Sequence, residues 1–402
     1  MREGWICEEL SNCIKLKSGN GLTAKKMVTG KFPVFGGNGI AGYHNTYNLE
    51  GKNIIIGRVG AQCGNARFID EKIWLTDNAF KISEFIHDFD FQFLYYLLNH
   101  VDLRSYARQA AQPVISNSSL KKVKLCFPTS LTEQKQIVAI LDKTFAAIDQ
   151  AKANIEKNIA NAKELFQSKL NDIFSHTSTG SGQAGNGWEE KTLGEVANVS
   201  YGFTDKSTSD GDYRYIRITD IDKNGELDES GKVYIKSSEK ALEFILKDND
   251  LLMARTGATF AKTLLYKDYE PSIFASYLIK ISFTENISNE LYWYFTKSGY
   301  YWEQANNLSS GSAQPHFNGA ALKKVKFSYP TETKKQNDLI EIIKGFDIST
   351  KKIIFSYEQK LIKLEDLKKS ILQKAFAGAL TSPERTPSIK DGSIPSLLDT
   401  NK

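Results

Sequence analysis

The stretch AQPVISNSSLKKVKLCFPT at residues 111–129 recurs as AQPHFNGAALKKVKFSYPT at residues 313–331. The second copy is offset from the first by 202 positions, and both contain Ala-Gln-Pro, Leu-Lys-Lys-Val-Lys and Pro-Thr at matching places. A long segment of mixed charged and apolar residues follows each copy. The sequence therefore predicts one structural design that is present twice in the chain.

The segment after each copy has the apolar spacing of an amphipathic helix. Between Ile137 and Ile173 the apolar residues recur about every 3.6 positions, which is the period of an α-helix. A helix of this length extends roughly 65 Å, which is more than a small domain needs for its own core. We therefore expect the helices predicted at 130–176 and 332–380 to pair as an antiparallel coiled coil.

Other matches between the two halves lie at different offsets. Trp5 corresponds to Trp188 at an offset of 183, and Arg58 in Arg-Val-Gly-Ala corresponds to Arg255 in Arg-Thr-Gly-Ala at an offset of 197. The framework segments match, whereas the segments between them differ in length and sequence. This pattern is typical of two modules that share a scaffold but recognise different things.

The predicted fold class is α+β, with two tandem globular domains separated by a pair of long antiparallel helices and related by a pseudo-two-fold axis. The predicted boundaries are 1–129 for the first globular domain, 130–176 for the first long helix, 177–187 for a linker, 188–331 for the second globular domain, 332–380 for the second long helix and 381–402 for a flexible tail.

The charge differs between the halves of this 402-residue chain, whose net charge is +5. Residues 1–128 contain 16 Lys and Arg against 11 Asp and Glu, whereas residues 186–330 contain 17 against 20. The basic first half suggests a polyanionic partner, but the acidic second half means that bulk charge alone does not establish nucleic-acid binding. No run of about 18 apolar residues exists, so we expect no membrane span.

The cysteine spacing argues against a zinc site and a disulfide framework, and a glycine-rich segment does not fit a dinucleotide-binding motif. Four scattered cysteines favour free thiols in a reducing cytoplasm over a zinc site or a disulfide framework.

Gly37 to Gly42 formally matches the dinucleotide fingerprint G-x-G-x-x-G, but the turn-rich Tyr43-His44-Asn45 follows it where a helix is required. We interpret this segment as a loop whose backbone turns sharply or approaches a ligand closely.

Three segments resemble motifs of one known family. Residues 128–137, PTSLTEQKQI, are similar to the opening of its first conserved helix, and residues 35–40 and 56–61 are similar to turns of its target recognition domains. The opening of the second helix at 330–337 is a weaker match, because it lacks the Leu and the Glu before Gln336. Together with the duplication, these motifs resemble the specificity subunit of type I restriction–modification systems over nearly the whole chain.

The resemblance implies that each half is a target recognition domain that reads one part of a bipartite double-stranded DNA target. It implies that the long helices set the length of the DNA spacer between the two parts of the target. It also implies that they dock two methyltransferase subunits, which bind S-adenosylmethionine and methylate adenine. Restriction subunits join the full complex, which is an ATP-dependent endonuclease. The specificity subunit itself is then cytoplasmic, catalyses nothing and needs no cofactor.

The sequence agrees that the chain is not an enzyme. No two of its nine prolines are adjacent, so the Asn/Asp-Pro-Pro-aromatic motif of an amino-methyltransferase is absent, as is the ATP-binding G-x-x-x-x-G-K-[ST] motif. The five histidines have no metal-binding or catalytic-triad spacing. We therefore predict no catalytic residue and no metal ligand.

Candidate DNA contacts follow from the chemistry of base edges and phosphates. Arg and Lys read guanine, Asn and Gln read adenine, and Lys, Arg, Ser and Thr bind phosphates. The candidates are Lys25, Lys26, Asn38, Arg58, Gln62, Arg67, Gln112, Ser116 and Asn117 in the first module, and Lys206, Arg214, Arg217, Arg255, Thr259, Lys262, Ser310, Gln314, His316 and Asn318 in the second. Arg58 and Arg255 are equally compatible with pinning their turns. Recognition is favoured for Gln112 and Gln314, because the following proline keeps each in an extended loop.

Two other functions remain open from the sequence. A two-headed protein-interaction scaffold that does not bind DNA would suit the acidic second half. An enzyme would have to rest on the glycine-rich segment alone, which is weak support.

Overall fold

The computed structural model describes residues 2–108, 112–175, 187–222, 224–267, 270–310 and 316–381. Contacts divide the chain into two compact units, unit 1 with residues 1–154 and 360–402 and unit 2 with residues 155–359. Each unit therefore combines one globular domain with parts of both long helices. The predicted linker apart from its last residue, the predicted tail beyond residue 381, and Gln314 lie outside the described residues.

Unit 1 contains a mixed α and β domain followed by the first long helix. Its strands are β1 (Trp5–Glu9), β2 (Ile14–Ser18), β3 (Phe32–Gly36), β4 (Gly39–His44), β5 (Lys52–Gly57), β6 (Ala66–Asp70), β7 (Trp74–Leu75), β8 (Ala79–Phe85) and β9 (Lys124–Pro128). Its helices are α1 (Leu10–Cys13), α2 (Phe91–His100), α3 (Asn117–Leu120) and the start of α4 (Leu131–Ser175), with 3₁₀ turns at Ala24–Lys26 and Leu103–Tyr106. The strands form the sheets β1-β9, β2-β8-β5-β6 and β4-β3-β7.

Unit 2 repeats this arrangement with longer connections. Its strands are β10 (Trp188–Thr192), β11 (Ala197–Tyr201), β12 (Tyr213–Ile216), β13 (Tyr234–Ile235), β14 (Leu251–Ala254), β15 (Thr263–Leu265), β16 (Ser272–Phe274), β17 (Leu278–Phe283) and β18 (Lys326–Pro330). Its helices are α5 (Leu193–Val196), α6 (Asn289–Phe295), α7 (Gly299–Leu308), α8 (Gly319–Leu322) and the start of α9 (Thr333–Phe376), with 3₁₀ turns at Ile218–Asp220, Ala241–Phe244 and Gly257–Thr259. The sheets are β10-β18, β11-β17-β14-β15 and β13-β12-β16.

The repeated stretch closes each domain in the same way. Its last strand pairs antiparallel with the opening strand of the domain, so that Trp5 lies opposite Pro128 and Trp188 lies opposite Pro330. Because proline has no N–H to donate, it fits the end of a two-stranded pair. The duplication and the α+β fold class predicted from the sequence are confirmed.

A buried glutamine joins each closing strand to the long helix that follows it. Gln134 Nε2 donates to the Pro128 carbonyl at 3.0 Å, and its Oε1 accepts from Asp90 N at 2.8 Å. In unit 2, Gln336 Nε2 donates to the Pro330 carbonyl at 2.8 Å, and its Oε1 accepts from Ser288 N at 2.8 Å. The weaker sequence match at the second helix therefore preserves the residue that makes the connection.

Both long helices are continuous, with 45 residues in α4 and 44 in α9. In unit 1 the ammonium group of Lys152 contacts Glu365, and that of Lys368 lies 3.4 Å from Asp149, so residue numbers rise along one helix as they fall along the other. Ile137 and Leu141 of α4 and Phe376 of α9 pack into the core of unit 1. In unit 2, Leu170 and Phe174 share the core with Ile340 and Ile343. The antiparallel pairing is therefore built into both cores.

The residue pattern of 90–107 and of the matching segment 288–305, which precede the repeated loops, predicts one helix in each, but the helices are shorter than this pattern suggests. The predicted helix over 90–107 ends at His100, and its face of Phe93, Leu94, Leu97 and Leu98 is buried in the core. The predicted helix over 288–305 is interrupted, because Ser298 begins a new helix by accepting a hydrogen bond from Tyr301 N. An N-cap within a helical pattern is a local signal that apolar periodicity does not reveal.

The pairing of Cys7 with Cys126 corrects the expectation of free thiols. These residues face each other across β1 and β9, with Cα atoms 4.1 Å apart, and their sulfur atoms are bonded at 1.98 Å. The sequence does not reveal the pair, because 119 positions separate the two cysteines and only the strand register brings them together. Cys13 and Cys63 are free and buried.

Membrane-spanning helices and metal sites are both absent from the described residues. No helix among them is long and apolar enough to span a bilayer. The same residues contain no group of three or more His, Cys, Asp or Glu that is positioned to hold a metal ion.

Candidate nucleic-acid interface

The glycine-rich segment of unit 1 forms the tight turn between β3 and β4. A Cβ on Gly37 would lie 2.0 Å from the carbonyl oxygen of Val59, so the backbone of this turn approaches the turn after β5 very closely. Gly60, at φ +95°, leaves room for the side chain of Asn38 at the tip. A strand follows instead of a helix. The interpretation as a sharp glycine turn is confirmed.

This close approach brings three candidate residues together, which we call the amide cluster: Asn38, Gln62 and Arg67. Gln62 N donates to Asn38 Oδ1 at 3.0 Å, and Arg67 Nη2 donates to Gln62 Oε1. Asn38 and Gln62 are exposed, whereas Arg67 is half-buried, and burial lowers the pKa of its guanidinium group. Arg67 Nη1 is buried and has no hydrogen-bond partner within the described part of the chain. The amide cluster thus displays two side-chain amides at the surface.

Arg58, at the end of β5, is held by its own unit. Its Nη1 donates to Ser18 Oγ at 3.0 Å and to the Asp77 carbonyl at 2.8 Å, and its guanidinium group lies 4.7 Å from the ring centre of Phe80. A guanidinium with these partners fixes three segments of the unit. The structure therefore favours the turn-pinning role for Arg58.

Arg255 occupies the matching turn of unit 2 but has different neighbours, and we call this group the tyrosine clamp: Arg255, Tyr201 and Tyr277. The guanidinium group lies 5.2 Å from the ring centre of Tyr201 and 5.5 Å from that of Tyr277. The tyrosines are 44% and 55% exposed, and no hydrogen bond ties the guanidinium to another described residue. The cation is positioned by stacking while its N–H donors stay available. The sequence does not single out the tyrosines, because both are distant from Arg255 along the chain.

The repeated loop supports the arginine turn in both units. Ile115 N donates to the Arg58 carbonyl and Phe317 N to the Arg255 carbonyl, each at 2.8 Å. In unit 2, His316 is exposed and exchanges two backbone hydrogen bonds with Ser310. Gln112 is exposed in the loop of unit 1. The structure thus places the most regular part of the duplication beside the turns in which the two units differ.

Arg214 and Arg217 correct the set of candidate contacts. The Arg214 side chain is 1% exposed and lies 2.9 Å from Glu229 and 3.3 Å from Glu270. Arg217 pairs with the nearly buried Asp220 at 2.8 Å and with the Gly231 carbonyl at 3.2 Å. Buried cations require such partners, and Arg214 has no surface to offer to DNA. Both arginines hold their unit together.

Three short polar candidates also serve the fold. Ser116 Oγ accepts from Ser119 N at 3.0 Å and begins α3, and Asn318 Oδ1 accepts from Ala321 N at 2.9 Å and begins α8. Asn117 Nδ2 donates to the Leu16 carbonyl at 3.1 Å. A cap and a strand contact explain these residues without a ligand.

The remaining candidates are dispersed. Lys25 and Lys26 are exposed on the 3₁₀ turn of unit 1, and Lys206 is exposed after β11. Thr259 ends the 3₁₀ turn of unit 2, and Lys262 lines a cavity next to the long helices. The structure does not gather these five residues into either the amide cluster or the tyrosine clamp.

The long helices differ in the apolar surface that they leave uncovered. The exposed large apolar residues of α9 are Ile342, Phe346, Ile348, Ile353, Phe355, Ile362 and Leu367, and those of α4 are Leu131, Ile140 and Leu165. Ile348, Phe355 and Ile362 follow one another at intervals of seven, so they share one face of α9. We call these three residues the α9 stripe.

The chain is similar to proteins of one family in sequence and in fold. A family model described as "Type I restriction modification DNA specificity domain" matches residues 3–161 and 185–373. The EcoprrI specificity subunit of a type I restriction enzyme from Escherichia coli is 29% identical over 167 residues, which are 39% of this chain and 41% of that protein. The StySPI specificity subunit from Salmonella potsdam is 24% identical over 270 residues, which are 64% of this chain and 58% of that protein.

A solved structure extends the similarity of fold over almost the whole chain. It belongs to a study of the structural basis of complex assembly and conformational transition of the type I R-M system. The two folds superpose with a TM-score of 0.74 at 14% sequence identity, and the alignment covers 94% of this chain and 99% of that one. By contrast, the alignments with the two curated relatives span about two fifths and three fifths of those proteins.

Proposed function

The chain belongs to the type I restriction–modification DNA specificity family, and from this premise we propose that its two units read the two halves of a bipartite double-stranded DNA target. The observation that carries this proposal is the contrast between Arg58 and Arg255. In unit 1 the arginine of this turn holds segments of its own unit together through hydrogen bonds. In unit 2 the arginine of the matching turn lies against tyrosine rings and leaves its N–H groups available to a partner. Two different half-sites require two such different surfaces.

The chemistry of each surface indicates what it reads. The side-chain amides of Asn38 and Gln62 are exposed, and each oxygen that already accepts one hydrogen bond within the cluster has a second lone pair, so each amide still offers the donor and acceptor pair that matches an adenine edge. Arg255 has the free N–H fork that matches a guanine edge, and its two tyrosines hold the fork in one orientation. Lys25, Lys26, Lys206 and Gln112 are exposed and remain candidates for backbone or base contacts.

We assign the docking of two methyltransferase subunits to the long helices. The α9 stripe leaves side chains that are 52%, 62% and 55% exposed on one helical face, which is the kind of surface that a partner helix covers. Restriction subunits would join this assembly in the cytoplasm. The chain supplies sequence recognition and spacer length, and its partners supply S-adenosylmethionine, ATP and the catalytic groups.

Co-expression with the methyltransferase subunit of the same system tests this function. We expect a stable complex that methylates DNA only at one interrupted motif, whereas the methyltransferase alone should show no such preference. A chain that binds no methyltransferase subunit, or a complex that methylates without sequence preference, would contradict the proposal and leave the two-headed scaffold as the better account.

A further inference from the structure

Unit 2 contains a second group of basic residues, which is separate from the tyrosine clamp and includes the candidate Lys262. It surrounds a cavity of about 420 Å³ between the globular domain and the segments of α4 and α9 that belong to the same unit. The walls include Lys163 and Phe166 from α4, Lys262 before β15, Lys297 and Trp302 from the α6–α7 region, and Lys351 from α9. The volume suits a small ligand.

Lys297 is the central group of this cavity. Its ammonium nitrogen lies 3.3 Å from the ring centre of Trp293, and within the described residues it has neither a hydrogen-bond acceptor nor a carboxylate at ion-pair distance. Burial lowers the pKa of Lys297 to about 8, so the group is still largely charged at neutral pH. Because Lys297 is only half-buried, its ammonium group keeps its N–H donors open to a ligand in the cavity.

The other charges of the cavity leave it electropositive. Lys351 lies 2.6 Å from Glu226 and 3.3 Å from Asp347, so the carboxylate in the wall already has a cation as its partner. Lys163 and Lys262 have no ion pair with any described residue. Three ammonium groups from three different segments therefore line the cavity without a carboxylate at ion-pair distance among the described residues, although the charges of Asp347, Glu226 and Asp222 act on Lys297 from farther away.

We propose that this cavity binds a small phosphomonoester. A phosphate dianion offers several strong acceptors and bears the charge that three lysines complement, and lysine binds phosphate as a point charge. Phe166 and Trp302 add aromatic surface for the group that the phosphate carries, such as a nucleoside. A DNA backbone phosphate has the same chemistry, but it is a monoanion within a polymer. The test therefore measures the binding of small phosphate compounds and of a DNA duplex separately.

The test compares the full-length protein with its Lys297→Met variant by thermal unfolding and calorimetric titration. The probes are inorganic phosphate and adenosine 5′-monophosphate, with chloride at equal ionic strength as the reference. We expect both probes to raise the unfolding temperature of the native chain, and Lys297→Met to bind them at least about tenfold more weakly, because it loses a charge-assisted hydrogen bond. Without probe the variant should be at least as stable, because the desolvation cost of a half-buried cation has been removed.

Two further measurements make the result decisive. Lys236→Met, which changes an exposed lysine after β13, should bind both probes as the native chain does. Binding of a target duplex should be the same for Lys297→Met and the native chain. The proposal is overturned if neither probe acts beyond chloride, if Lys297→Met responds like the native chain, or if this variant loses affinity for the duplex alone.

Discussion

At the scale of the residue, Arg58 and Arg255 show that one residue type in one repeated turn acquires its role from distant neighbours. Arg58 meets Ser18, the Asp77 carbonyl and Phe80, whereas Arg255 meets two tyrosines. From the sequence, a structural role and a base-reading role are equally compatible with both arginines, because none of these neighbours is close to them along the chain. The site could therefore be predicted as a set of turns but not as a set of contacts.

Replacing Arg58 by Ala should destabilise the protein without redirecting recognition. The variant loses two hydrogen bonds from a charged group and the stacking on Phe80, so the free energy of unfolding should fall by about 2–3 kcal/mol in urea denaturation. Arg255→Ala serves as the matched control, and it should lose less than about 1 kcal/mol because its guanidinium group makes no hydrogen bond to the described residues. Equal stability of the two variants would refute the distinction.

Lys297 predicts a pH dependence of stability whose sign is fixed. Its pKa is about 8 in the folded chain against an ordinary 10.5, so the unfolded chain binds more protons between these values. Stability of the native chain should therefore rise relative to Lys297→Met as the pH increases from 8 to 10.5. Denaturant titrations of both proteins across this range measure the difference, and a constant difference would show that the ammonium group is not buried in solution.

At the scale of the element, the spacing of apolar residues predicts the long helices but not the features that depend on caps, strand register or buried polar groups. It places both long helices to within a few residues, because each has one face in a core over several turns. It misses the interruption at Ser298 and the bond between Cys7 and Cys126, which depend on a cap and on strand register. It also misses Gln134 and Gln336, since a buried polar residue gives no periodic signal.

The α9 stripe should affect assembly and not folding. Phe355 is 62% exposed, so Phe355→Glu should unfold at nearly the temperature of the native chain and yet retain much less methyltransferase subunit on co-purification. Leu165→Glu on α4 is a matched control at 63% exposure, and it should retain the partner. The assignment of α9 fails if Leu165→Glu releases the partner and Phe355→Glu does not.

At the scale of the whole molecule, both units contain parts of the same two continuous helices. If these helices set the spacer, inserting seven residues after Asn154 and seven after Gln359 should lengthen it. Seven residues add about 10 Å while keeping the apolar face in phase, which corresponds to about three base pairs. Mapping of methylated sites gives the spacer directly, and an unchanged spacer in a folded, active variant would exclude the helices as its determinant.

The central claim is that each unit reads its own half of the target, and mapping of methylated bases across a genome that carries Arg255→Ala tests it most directly. The account predicts that one half of the motif becomes degenerate where the native protein requires guanine, while the other half and the spacer stay unchanged. A native motif, or equal loss of preference in both halves, would contradict it.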